Sequence, residues 1–312
     1  LDDALRAWAK DFGEKTNGRY TVEVVSGGTL ASTLQAYDAL VGGVADVGLF
    51  QPPMTEKPFP LANLPVLFWG PVSAEIMTDA WQKVYNKGYL DKELSEIKII
   101  GVLVGPVGDV DTVKPVKTLA EMKGVKLANA QGSTCVDLAT ALGAVSVLAG
   151  PPDIYALIQK GTTEGLFGAI PMIKEFHLDE FVKYLLPIQV SHMSHVFAMN
   201  LNVYNSLPDD IKLIFNNMAA DRKYTLIADQ GNDKWYADGL QYCLDQGLTQ
   251  IKWSNEDMAK LNEIAGEIWE KYLIDLEAQG LPAREVCDEL YNSMLAQGAQ
   301  PSEIAIGYTP SK

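Results

Sequence analysis

Few residues in this chain have the types and spacing that chemistry needs. Cys135 stands near the start of an expected helix, where the free backbone amides can lower a thiol pKa. No base is paired with it by the sequence, so a buried thiol is the simpler reading. His192 and His195 are three apart and would share a metal on a helix. The surrounding run from Ile188 to Asn200 reads as β, however, where positions i and i+3 face opposite sides of a sheet. A structural or ligand-lining role is expected for both. Gly27-Gly28 and Gly105-x-x-Gly108 lack the remainder of a phosphate-binding loop and are read as turns. The three cysteines, Cys135, Cys243 and Cys287, have no metal spacing and leave at least one thiol unpaired. The expectation is a protein that is not an enzyme, has no cofactor, and holds no metal.

Charge narrows the partners. The chain has 312 residues and a formal net charge of −15, which argues against nucleic acid and against an anionic membrane surface. No apolar run reaches the roughly 18–20 residues of a membrane span, so no direct membrane insertion is expected. Arginine, the preferred bidentate partner of carboxylates, occurs only at Arg6, Arg19, Arg222 and Arg284. The chain begins inside a helix-like pattern with no signal peptide in view, which suits a mature chain whose signal peptide has been removed.

The elements that would position a site are organised around Lys114–Gly161, read as turn, strand, helix, strand, helix, with Gly124, Gly132, Gly143 and Gly161 at the joints. Val125–Ala128 is the strand, Asn129–Ser133 the loop, and Ser133 or Thr134 a cap for a helix carrying Val136, Leu138, Ala139 and Leu142. Ligands of open α/β sheets sit at the carboxyl ends of strands, so this loop is the first place to look. Upstream, Leu1, Leu5, Trp8 and Phe12 share a helical face, Tyr20, Val22 and Val24 alternate as in a strand, and a helix carrying Leu30 to Val41 precedes a strand at Val44–Phe50. This β-α-β order predicts a largely parallel sheet. Ile97–Val104 reads as a strand, and Gly105–Val116 as the first crossing between two lobes. Strands are also expected at Glu164–Gly168, Tyr184–Gln189 and His195–Asn202, with a helix near Pro171–Phe181. From Leu207-Pro208 to Gln246 the pattern is helical, interrupted only by Gly231 and Gly239; one continuous helix would reach on the order of 55 Å. Helices follow at Asn255–Gln279 and Pro282–Gln297.

Two segments, FGEKTNGRYTVEVVSGGTLASTLQAYDALVGGVADVG and KPVKTLAEMKGVKLAN…LGAVSV…PPDIYALIQKG…EGLFG, lie in the order seen in a known family. The chain resembles the extracytoplasmic solute-binding proteins of TRAP transporters, the DctP type. The resemblance implies an α/β, two-lobed, periplasmic-binding-protein-like (type II) fold with a long helix spanning both lobes. Lobe I is expected at 1–105 and 195–235, lobe II at 106–194 and 236–290, and a C-terminal segment at 291–312. It also implies a strand before the first helix, which this sequence lacks. The implied partners are a small organic solute and the permease subunits of a TRAP transporter, and the implied location is the periplasm.

The loops that the resemblance assigns to a ligand between the lobes hold Phe50, Gln51, Phe68, Trp69, Asp109, Ala128, Phe167 and His195. Ala128 stands where the family normally has an arginine that pairs with a substrate carboxylate. A buried carboxylate deprived of its partner loses about 3–5 kcal/mol, so the expected solute is neutral or cationic: an alcohol, an amine or an aromatic compound, held by aromatic faces and an acid such as Asp109. The alternatives are a carboxylate or sulfonate held by another cation or a bound metal, and a binding protein of an ABC-type importer, against which the long crossing helix argues. A cleft hydrolase using Cys135 or His195 is the remaining rival.

Overall fold

The computed structural model describes residues 1–55 and 58–311. Seven strands form one mixed sheet in the order β1-β6-β2-β5-β3-β4, with β7 beside β6. They are β1 (Val47–Phe50), β2 (Ile97–Thr112), β3 (Lys126–Asn129), β4 (Val145–Leu148), β5 (Gly165–Gly168), β6 (Tyr184–Asn200) and β7 (Thr249–Gln250). The helices are α1 (Asp2–Lys15), α2 (Ala36–Val41), α3 (Ala74–Asn86), α4 (Ser133–Ala141), α5 (Pro151–Gln159) and α6 (Pro171–Glu175). They continue with α7 (Leu201–Ser206), α8 (Asp209–Ala220), α9 (Lys223–Asp245), α10 (Asn255–Glu277), α11 (Ala283–Ala296) and α12 (Pro301–Ile304).

The sheet is parallel only where β3 pairs with β4 and β5, and where β7 pairs with β6. Around its two longest strands it is antiparallel, β6 running against β1 and β2, and β2 against β5. The expectation of a largely parallel sheet is corrected here: the β-α-β order holds for the 126–168 stretch, and the long strands return on themselves. Those two strands are also longer than expected. The predicted crossing at Gly105–Val116 is largely the continuation of β2, and the strands predicted at Tyr184–Gln189 and His195–Asn202 are one strand, β6. Tyr20, Val22 and Val24 lie in no strand, because alternation marks a half-buried surface but supplies no neighbour to pair with.

Apolar burial fills three clusters. One, between α1, α8 and one face of the sheet, holds Trp8, Phe12, Leu103, Phe197 and Phe215. A second, under α5, α6 and α9, holds Ile154, Leu166, Ile170, Leu185 and Cys243. The third and largest runs along the opposite face, from Tyr37 through Trp69, Val110 and Phe167 to Trp269 on α10. It takes in both Leu40 of α2 and Leu127 of β3.

The helical stretch from Leu207 divides at Asp221, whose backbone is extended, rather than at either glycine. Asp221 accepts from the Lys223 amide, a side-chain bond that starts a new helix instead of continuing the old one. The second piece, α9, is about 35 Å long at 1.5 Å per residue. It reaches from Tyr224 and Ala228 in the first cluster to Leu240 and Cys243 in the second. The bracing helix expected from the sequence is therefore α9 alone.

Gly239 shows why α9 sits so close to α6: a Cβ there would lie 2.5 Å from Pro171 Cα. At Gly231 the same atom would meet nothing within 4 Å. Gly231→Ala is expected to stabilise by about 0.5–1 kcal/mol, and Gly239→Ala to destabilise by about 1–3 kcal/mol through overpacking. Urea unfolding followed by circular dichroism distinguishes the two signs.

Candidate functional site

The β2–β6 ladder loses its regularity where the two ends of the sheet meet. Val104 pairs with Ser194, but the next pairs are Val107 with His192, Gly108 with Val190, and Val110 with Leu186. Polar side chains gather along this gap. Asp109 accepts from the Gln189 amide at 2.8 Å and from the Tyr236 hydroxyl of α9 at 2.7 Å. The Ser191 amide leaves the ladder to donate to the Trp69 carbonyl. The Ser191 hydroxyl donates to Gln131 and accepts from the Cys135 thiol. His192 places its two ring nitrogens 3.2 Å from the carbonyls of Gly105 and Gly70. His195 meets the Gln51 side chain at 2.9 Å and the Met193 carbonyl at 3.0 Å.

The loop between β3 and α4 closes this junction from the other side. Asn129 accepts from the Gln131 amide and donates to the Gly132 carbonyl, which shapes the turn. Gly132 has a left-handed backbone, and a Cβ on it would lie 2.8 Å from the Pro53 ring. Thr134 donates to the Val66 carbonyl. The 129–134 loop thus lies against Pro53 and Val66, and Gln131 and Ser191 face each other beside it.

Burial disfavours the charged form of each titratable group at this junction. Burial lowers His192, and pushes His195 down to about 4, so both are neutral imidazoles at pH 7 and offer one donor each. Burial raises Asp109 to about 7, against the opposing hydrogen bonds from Tyr236 and Gln189. Asp111, two residues along the same strand face, is raised well above the usual carboxylate range by burial and by its neighbour Asp109. Neither of its carboxyl oxygens has a hydrogen-bond partner of normal geometry. Burial also pushes the Cys135 thiol up to about 12. Its neighbour is a hydroxyl rather than a base, so this thiol is not activated as a nucleophile.

The sequence-predicted residues divide between this junction and the core. Gln51, Asp109 and His195 line the gap in the ladder. Phe50 packs edge-on to Tyr37 at 5.1 Å, Phe68 edge-on to Trp269 at 6.4 Å, and Phe167 is fully buried in the same cluster. Trp69 gives its indole N–H to the Leu64 carbonyl and its ring to Trp269; only its backbone carbonyl reaches the junction. Ala128 is fully buried among Ile154, Leu166 and Ile170. The side chains of Phe50, Phe68, Phe167 and Ala128 and the Trp69 ring, expected as ligand contacts, are packed here against core neighbours. Gln131, Gln189, Ser191 and Tyr236 are the junction residues that sequence reasoning missed. Gln131 lies in the loop already singled out, whereas nothing in the sequence marks Ser191 or Tyr236.

No arginine reaches the junction. Arg6 pairs with Asp2 at 2.6 Å, Arg19 with Asp210, Arg222 with Asp79 and Asp229, and Arg284 with Glu270 at 2.9 Å. Among the described residues, no lysine side chain is buried either.

The family of bacterial extracellular solute-binding proteins, family 7 (DctP), matches residues 1–275. A solute-binding protein of Sulfitobacter sp. (strain NAS-14.1) is 23% identical over 288 residues, covering 89% of this chain and 84% of its own. A TRAP periplasmic solute-binding protein of Desulfovibrio salexigens DSM2638 superposes with a TM-score of 0.81 at 23% identity, covering 96% of this chain and 93% of that one. A TRAP solute-binding protein of Rhodoferax ferrireducens T118, solved with copurified benzoate, gives 0.84 at 20% identity, with coverage of 94% and 92%. One from Bordetella bronchiseptica with bound (R)- and (S)-mandelate gives 0.83 at 19% identity, with coverage of 94% and 93%.

Two measurements probe the junction. A carboxyl whose folded pKa is raised loses its stabilising contribution as pH rises from the unfolded value through the folded one. Asp111→Asn removes that loss, so its stability relative to wild type should rise between pH 4 and pH 8 by on the order of 1–3 kcal/mol; denaturant midpoints at a series of pH values give the difference directly. The three thiols are free and buried. A thiol reagent at pH 8 is expected to leave the folded protein unlabelled over a period that labels the urea-unfolded chain completely.

Proposed function

The chain belongs to the bacterial extracellular solute-binding protein family 7, the DctP family of TRAP transport, and from that premise we propose that it captures a small neutral or cationic organic solute and delivers it to a TRAP permease. The solute is an alcohol, an amine or an aromatic compound. It binds where the β3–α4 loop faces the gap in the β2–β6 ladder, against Gln51, Gln131, Ser191, His195 and the Asp109–Tyr236 pair. The two ends of the sheet act as lobes, divided near Gly105 and again near His195, and they close on the solute because contacts from both favour the closed state. The site is extracytoplasmic, in the periplasm, and the acidic surface steers docking to a complementary face of the permease.

One observation carries the choice of solute: Ala128 is packed into an apolar cluster while all four arginines have acidic partners elsewhere. A bare carboxylate brought to the junction would meet neutral imidazoles, amides and hydroxyls, and at least one carboxyl. Neutral donors hold an anion less strongly than a guanidinium does. For an amine the balance reverses, since an ammonium brought beside Asp109 would favour its ionised form.

A second reading has its own support. Structures of the same fold hold benzoate and mandelate, so an aromatic carboxylate could be held through its ring, with its charge met by hydrogen-bond donors at the junction.

A thermal-shift series compares the two. Saturation at about 100 times Kd adds about 2.7 kcal/mol and, for a chain of this length, about 4 °C. Amines, alcohols or neutral aromatics are expected to give that shift, with benzoate, mandelate and hexuronates giving none at equal concentration. A shift confined to the carboxylates selects the second reading.

A further inference from the structure

The family match stops at residue 275, yet the segment after α12 comes back to the candidate site. It crosses the 68–70 stretch as a strap. Ala305 forms an antiparallel bridge with Trp69. The Gly70 amide donates to the Ile304 carbonyl at 2.9 Å, and the Ile306 amide to the Phe68 carbonyl at 2.8 Å. Other groups of the same stretch serve the junction. The Trp69 carbonyl accepts from the Ser191 amide at 3.1 Å, and the Gly70 carbonyl lies 3.2 Å from a ring nitrogen of His192. Residues 68–70 belong to no helix or extended strand. Their backbone is held by these two sets of bonds rather than by a long ladder of its own.

The strap is itself fixed to α10 and α11. The Trp269 indole N–H donates to the Ile306 carbonyl at 3.1 Å, and the Trp269 and Tyr308 ring centroids are 4.7 Å apart. The Tyr308 hydroxyl donates to Asp288, which also accepts from the Ser311 amide at 3.1 Å. Gly307 has a left-handed backbone with φ of 78°. A Cβ there would lie 2.4 Å from both the Asn262 carbonyl oxygen and the Gly266 amide nitrogen of α10. At the other contact, a Cβ on Gly70 would lie 2.4 Å from the Glu303 carbonyl oxygen. Only glycine lets backbones approach this closely, so both ends of the connection are built for contact.

We propose that residues 304–308 are a positioning strap for the solute site, fixing the Trp69 and Gly70 carbonyls where they meet Ser191 and His192. Gln189 and Ser191 have left-handed backbones, with φ of 50° and 65°, a conformation that non-glycine residues rarely adopt without support. The Trp69 carbonyl is part of that support. Once the strap lifts, the Phe68 carbonyl and the Gly70 amide lose their partners, and the stretch is free to move away from Ser191. This role rests on the reading that a solute binds at the junction. It adds that α10 and α11, acting through the strap, set the shape of one wall.

Amide hydrogen exchange on the full chain without any added solute tests this. Gly307→Ala pushes the strap off α10 while removing no hydrogen-bonding group. It is expected to speed exchange roughly tenfold in peptides covering 67–72 and in those covering 189–193. Peptides from β3, β5 and α8 should keep wild-type rates. Where Gly307→Ala does not fold, Tyr308→Phe carries the test. It removes only the hydroxyl bonded to Asp288 and should speed the same two stretches about threefold. A strap that merely packs against α10 would speed 67–72 and leave 189–193 at the wild-type rate, and that outcome overturns the proposal. Unchanged exchange in both stretches also overturns it, as does an equal acceleration across all strands, which marks ordinary destabilisation. Because no solute is present, failure here leaves the solute-binding reading standing, and a blank thermal-shift series leaves the link from strap to junction standing.

Discussion

A backbone amide withdrawn from a ladder and buried must find another acceptor, or it costs free energy comparable to a lost hydrogen bond. The Gln189 amide meets that requirement with the carboxylate of Asp109. Around this bond the two longest strands continue through the whole sheet without pairing regularly along it. The same carboxylate reaches α9 through Tyr236, so the strands and the helix that cross from one end of the molecule to the other are joined at one residue. The irregular backbone lies where the ends of the sheet meet, and the regular pairing lies on either side.

Electrostatics follow from the same burial. Asp109 and Asp111 lie on one strand face with no cationic side chain among their hydrogen-bond partners, and burial raises both. The imidazoles of His192 and His195 are lowered for the matching reason. A junction whose burial disfavours the charged forms of its acids and histidines differs from one built around a guanidinium: it orients a guest by hydrogen bonds and shape and supplies no fixed positive charge. The chain is strongly acidic overall, and its four arginines pair with acids away from the junction, mostly at the surface, where such pairs contribute little.

Long-range packing sets the surroundings of Trp69. Trp69, Trp269 and Tyr308 form one aromatic group, with Trp69 and Trp269 5.0 Å apart and Trp269 and Tyr308 4.7 Å apart. The partners come from α10 and from the segment after α12, more than 190 residues beyond Trp69. No local pattern announces such a meeting.

The sequence alone determined most of the element order, several helical faces and the motif order that carries the family resemblance, because hydrophobic period and turn chemistry are local properties. It placed β3 and α4 to within a residue, and it showed Ala128 where an arginine is expected. Tertiary structure decided what depends on long-range pairing. The two predicted strands at 184–202 became β6 because left-handed residues carry the chain through a bulge that reads, locally, as an end. The helix from Leu207 broke at Asp221 because a side-chain bond there competes with the helical one. Gln51 met His195 across 144 residues, and Tyr236 met Asp109 across 127; contacts of that reach are set by how the sheet is ordered, which no stretch of sequence contains by itself.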